Sequence, residues 1–130
     1  MMQELTKKWF QFAENDLWNA RILFQSKAYE GCIWHCHQAV EKYVKGVLTE
    51  ESMSMRKTHD LPTLLRDTTW QFPKTLLDFV AELNAYYQPS RYPDMALLEP
   101  LSYKRITARK FLQLAETMKK WLLHHLNPKK

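Results

Sequence analysis

Three groups of residues in this chain have the types and spacing to do chemistry. The most distinctive is the run Arg91-Tyr92-Pro93-Asp94. An arginine guanidinium is a planar fork of donors suited to phosphate or carboxylate. Asp94 can fix that fork or accept from a sugar hydroxyl, and Pro93 stiffens the turn and holds Tyr92 extended. Tyr92, with Tyr86 and Tyr87, offers a stacking surface for a base. An Arg91–Asp94 ion pair that simply ties the loop down fits the same spacing. The second group is Cys32, His35 and Cys36, one helical turn apart, with His37 beside them. Thiolate and imidazole are zinc ligands, but structural zinc sites draw a second ligand pair from another element. No second cysteine pair exists, and cysteine on an apolar helical stripe is usually core, so no metal is expected. Nor is a cysteine nucleophile: near neighbours on a helix do not aim their side chains at each other, and burial dulls a thiol. The third group is basic, with Lys104, Arg105 and Arg109 followed by Lys119 and Lys120. It reads as a solvated face or as a phosphate-contacting surface whose binding would fall steeply with salt.

The elements that must position these residues are helices. Leu5, Trp9, Phe12, Ala13, Leu17, Ala20 and Phe24 recur at three- and four-residue spacing, which predicts a helix over 3–25. A second helix, 29–49, has an apolar surface wide enough for two neighbours, formed by Cys32, Ile33, Cys36, Ala39, Val40, Tyr43, Val44 and Val47. Gln38, Lys42 and Lys45 form its polar edge. Thr58 or Asp60 can cap a short third helix over 61–69, with Pro62 in its first turn. A fourth helix is expected from Pro73 to about Tyr87, with Leu76, Leu77, Val80, Leu83 and Asn84 along one stripe. Residues 88–100 hold three prolines and read as a long loop. A last helix, 101–126, places Tyr103, Ile106, Phe111, Leu114, Ala115, Met118, Trp121 and Leu122 for burial. Short links between long helices favour antiparallel neighbours. The expected fold is therefore all-α, an up-and-down antiparallel bundle of four long helices plus one short one, as a single domain over residues 1–130.

Composition agrees with that reading and narrows the function. The 130 residues include only two glycines, Gly31 and Gly46, too few for a glycine-rich phosphate loop or a dinucleotide fold. The net charge of +5 permits an anionic partner without requiring one. No apolar run approaches a membrane span, no secretory core opens the chain, and Cys32 and Cys36 are poorly placed for a disulfide. A cytoplasmic protein with no membrane association and no cofactor is expected. Five tryptophans and six tyrosines are many for one small bundle and point to an interface.

Read in order, the segments resemble the HEPN family (higher eukaryotes and prokaryotes nucleotide-binding domain). The resemblance covers about residues 5–125. It rests on Ala13-Glu14-Asn15-Asp16-Leu17 with Ala20, and on Gln38-Ala39-Val40-Glu41-Lys42 with Lys45 and Leu48. Thr58-His59-Asp60-Leu61 with Leu64-Leu65 follows, then Leu83-Asn84 and Arg91-Tyr92-Pro93-Asp94. The resemblance implies a helical bundle that is commonly a homodimer. Many members resemble partners of a minimal nucleotidyltransferase, some such pairs acting as toxin and antitoxin, and others are linked with nucleotide binding. In the ribonuclease branch an Arg precedes a His by roughly one and a half helical turns. The His there serves as acid or base on RNA and the Arg holds the phosphate. None of Arg21, Arg56, Arg66, Arg91, Arg105 and Arg109 has a His at that offset, so catalytic residues are not carried over. The expected function is a non-catalytic homodimeric module that partners a minimal nucleotidyltransferase and binds a nucleotide. Arg91 and Lys42 would meet phosphate, Tyr92 a base or partner surface, and His59 and Asp94 would orient them. The alternative is an RNA-cleaving toxin using His59 with Arg91.

Overall fold

A computed structural model of the chain describes residues 2–91 and 103–126, with side chains only to 87 in the first stretch. The helices are α1 (Glu4–Gln25), α2 (Tyr29–Glu50), the short α3 (Leu61–Asp67), α4 (Lys74–Arg91) and α5 (Arg105–Leu126). Among the described residues there is no strand. Helix α2 is the central element and packs against all four others. Its wide apolar surface is buried as expected, from Cys32 and Ile33 through Val44 and Val47.

Local chemistry explains the boundaries. Asp60 caps α3, its carboxylate accepting from the Thr63 backbone N–H at 3.1 Å, with Pro62 in the first turn. Thr58 accepts from the Asp60 backbone N–H at 3.1 Å and shapes the approach. Helices α1 and α2 end in left-handed residues, Lys27 at φ 64° and Ser52 at φ 55°, and Thr69 at φ 60° follows α3. The backbone N–H of Ala28 returns to the Leu23 carbonyl, and that of Met53 to Leu48, closing the last turn of each helix. At Gly46 the absence of a side chain lets α1 approach: a Cβ there would lie 2.4 Å from the Phe10 ring.

Several expectations change. Helix α4 does not stop at Tyr87 but runs through Pro89 to Arg91. Proline removes one backbone donor in the last turn, yet its own φ is helical, so the helix continues. Helix α5 starts at Arg105 rather than Leu101. Leu5 and Phe12 lie outside the core, 59% and 58% exposed, as do Leu77 and, at 76%, Ile106. Phe79, outside the expected stripe, is buried. Gln38 and Lys45, read as a polar edge, are buried because α2 is covered on every side.

Candidate functional site

Two polar networks lie on different faces of α2. On the face toward α1, Asp16 is buried and accepts from two side chains. Lys42 Nζ donates to it at 2.6 Å and His35 Nδ1 at 2.8 Å. Burial pushes the Asp16 carboxyl up, but the hydrogen bonds from His35 and Lys42 win and hold it below the usual range. Lys42 is thus engaged from within the molecule. Nearby, Glu14 accepts from the Tyr43 hydroxyl at 2.7 Å and from Lys119 at 2.6 Å, and Arg21 pairs with Glu116. These bonds join α1, α2 and α5.

The second network faces α3 and α4 and is centred on Glu41, whose side chain is only 4% exposed. Lys45 Nζ donates to it at 2.8 Å, and His59 Nδ1 lies 2.9 and 3.0 Å from its two oxygens. A carboxylate can only accept, so His59 Nδ1 carries the hydrogen and Nε2 is left for other work. The His59 side chain is 60% exposed although its anchor is buried. His37, one turn before Glu41 on α2, is fully buried. Burial pushes its pKa down to about 4, against the pull of Glu41 and Asn84.

Asn84 on α4 organises this end of the bundle. Its Oδ1 accepts from the Leu61 backbone N–H at 3.0 Å, and its Nδ2 donates to Asp60 at 2.8 Å. That fixes the amide orientation, so His37 Nε2, 3.4 Å from the same Oδ1, is the protonated nitrogen. The hydrogen bond from Thr63 chiefly, opposed by burial and aided by Asn84, keeps the Asp60 carboxyl below its ordinary range. The Tyr87 ring stacks on His37 at 4.2 Å between centroids and lies 5.5 Å from His59. A cavity of about 350 Å³ opens here, lined by Lys57, Thr58, His59, Asp60, Asn84 and Tyr87. Carboxylate-anchored imidazole, ammonium and an aromatic ring together suit an anionic ligand with a planar part.

The five residues singled out from sequence fare differently. His59 lines the cavity. Arg91 is the last residue of α4 and its backbone lies one helical turn beyond Tyr87; its side chain, and the whole of Tyr92 and Asp94, lie outside the described residues. Lys42 belongs to the Asp16 network. Sequence reasoning passed over Lys45 and Asn84 as site residues, weighed His37 only beside the cysteines, and met Glu41 only within a family pattern. The signal was present: His37, Glu41 and Lys45 follow one another every four residues, which stacks them on one helical face. In the cysteine–histidine cluster, Cys32 and Cys36 stay adjacent in the core as free thiols while His35 is bound to Asp16.

The model of the HEPN domain matches residues 6–126. The chain belongs to the HEPN family. Two solved structures share its fold. TT1696 from Thermus thermophilus has a TM-score of 0.82 at 24% identity, over 94% of this chain and 98% of that one. ST0689, an archaeal HEPN homologue, has a TM-score of 0.77 at 26% identity over the same shares. No curated protein matches the chain. Among its described residues this HEPN protein has no helix long and apolar enough to cross a membrane.

Proposed function

We propose that this HEPN protein is a homodimeric helical module that partners a minimal nucleotidyltransferase and binds a nucleotide at the Glu41–His59 cavity, without catalysing a reaction itself. The observation that carries the nucleotide reading is His59, exposed at the cavity but fixed by the buried Glu41 and flanked by Tyr87. In this proposal Lys57, His59 and Arg91 meet phosphate, and Tyr87 with Tyr92 supplies the stacking face. Asp94 accepts from the sugar. Lys42 is occupied by Asp16, so it supports α2 rather than touching ligand. Calorimetric titration with ATP tests the site. Binding that weakens at least roughly tenfold in both His59→Ala and Arg91→Ala supports it. Absent binding, or binding indifferent to both substitutions, contradicts it. Recovery of a nucleotidyltransferase with the protein from its native cell tests the partnership.

A second reading follows from the same hydrogen bond. A histidine whose Nδ1 is held by a buried carboxylate has Nε2 poised for proton transfer, so His59 with Arg91 could cleave RNA. Incubation with total RNA separates the readings: cleavage lost in His59→Ala establishes the toxin-like activity, and intact RNA leaves the binding role.

A further inference from the structure

The charges around the Glu41–His59 cavity balance until His59 takes up a proton. Glu41 and Asp60 are the carboxylates there, and Lys45 and Lys57 the ammonium groups. Asp60 is held ionised, its Oδ1 accepting from Asn84 and its Oδ2 from the Thr63 backbone N–H and hydroxyl. Arg66 on α3 also acts on Asp60 but does not line the cavity. From α4 come Asn84 and Tyr87, an amide and a phenol. Among the described residues, His59 therefore decides whether the cavity attracts anions. Its tautomer makes the proton necessary. Nδ1 gives its hydrogen to the buried Glu41 carboxylate, so in the neutral ring Nε2 holds a bare lone pair. A phosphate oxygen offers only lone pairs as well, and two acceptors do not bond. Neutral His59 suits a hydroxyl or amino group of a ligand, whereas phosphate needs the imidazolium. His37 does not share this task. It is fully buried, and its Nε2 lies 3.4 Å from Asn84 Oδ1. Its Nδ1 has no hydrogen-bond partner among the described residues and stands 3.8 Å from Glu41. A proton there would add a cation away from water beside Lys45 and His59, and burial holds the His37 pKa down at about 4.

We propose that phosphate binding at the Glu41–His59 cavity is coupled to the uptake of one proton by His59, and that Glu41 is the positioning residue that imposes this coupling by fixing the tautomer. The inference rests on the nucleotide reading of the cavity and adds the condition under which it operates. The proton comes from solvent. The Nε2 lone pair forms the new N–H bond, that N–H donates to a phosphate oxygen, and no bond of the ligand breaks. Glu41 stays a carboxylate between two cations, Lys45 and the His59 imidazolium. Because the complex holds one more proton than its separate parts, affinity rises as pH falls, by at most about tenfold per pH unit. A nucleoside without phosphate can donate a sugar hydroxyl to bare Nε2, so its binding gains nothing from acid. The cavity thus selects phosphorylated ligands more strongly as pH falls.

Calorimetry of ATP binding in two buffers of different ionisation enthalpy counts the protons. At about pH 8 the terminal phosphate of ATP has already lost its last proton, so any uptake belongs to the protein. Uptake of about one proton per ATP is expected, with a dissociation constant that falls as the titration is repeated down to about pH 6. His59→Gln is the control, its fold verified by circular dichroism. Its amide reaches as far as Nε2 and donates without a proton, so it should bind ATP at about pH 8 with no uptake. Nitrogen-15 resonances of the native His59 ring give a reading that needs no variant. Nδ1 alone should be protonated in the free protein at about pH 8, and both nitrogens in the complex. Should His59→Gln lose binding, the ring spectrum decides. ATP binding without proton uptake, or a bound His59 that stays neutral, overturns the coupling and leaves the nucleotide site standing. Uptake that survives in His59→Gln places the proton elsewhere and also overturns it. Absence of ATP binding even at about pH 6 removes the nucleotide reading and the coupling with it.

Discussion

At Glu41 one buried carboxylate is shared by Lys45 from its own helix and His59 from the segment before α3. Removing one partner of a buried ion pair leaves an uncompensated charge and costs about 3–5 kcal/mol, whereas replacing both by apolar groups is often close to neutral. Glu41→Leu and Lys45→Met should therefore each destabilise by about 3 kcal/mol. The double variant should cost far less than their sum in urea titration, and additive losses would show that the pair is not coupled. Beside the lowered carboxyls of Asp16 and Asp60, His37 shapes the pH dependence. Its folded pKa of about 4 lies below the ordinary 6.5, so the folded protein holds it neutral while the unfolded chain binds a proton. The stabilisation is complete above pH 6.5 and is lost as pH falls toward 4, a change on the order of 3 kcal/mol. The urea midpoint should fall across that window and fall less in His37→Asn; a flat native profile would contradict the burial effect. At this scale the sequence was only partly legible. His59 stood out by its neighbours Thr58 and Asp60, but Asn84 acts through a tertiary hydrogen bond to the Leu61 backbone, which no local spacing announces.

Among the described residues, periodicity located the four long helices, because an apolar stripe at helical spacing has few other ways to be buried, and the short α3 was marked by its cap and Pro62. It misleads where two faces of one helix are apolar. Leu5 and Phe12 continue the α1 pattern but lie outside the bundle, and nothing local distinguishes a residue kept for the core from one kept for a partner. It misleads also at Pro89, where proline in a last turn reads as an earlier stop. Two substitutions test the packing of elements. Gly46→Ala would press a methyl group into the Phe10 ring and should cost about 1–3 kcal/mol, seen as a lower melting temperature; an unchanged one would mean that α1 can shift away freely. Thr69 is β-branched, exposed and left-handed, so Thr69→Gly should stabilise by about 1 kcal/mol.

Across the whole molecule, charge is unevenly placed. Helix α5 and the residue before it hold Lys104, Arg105, Arg109, Lys110, Lys119 and Lys120 against Glu116 alone, while the α3–α4 end carries the carboxylate-anchored histidine. Two surfaces of different chemistry thus lie around the common core built on α2. A ligand site at the Glu41 end makes a spatially selective claim, and the two polar networks supply its internal control. The most direct measurement is a nuclear magnetic resonance titration of the folded protein with ATP, following the imidazole resonances. Ligand in the proposed cavity shifts His59, with the amides of Lys57 and Thr58, and leaves His35, bound to Asp16 on the α1 side, in place. A spectrum in which ATP moves nothing, or moves His35 while His59 stays fixed, would contradict it.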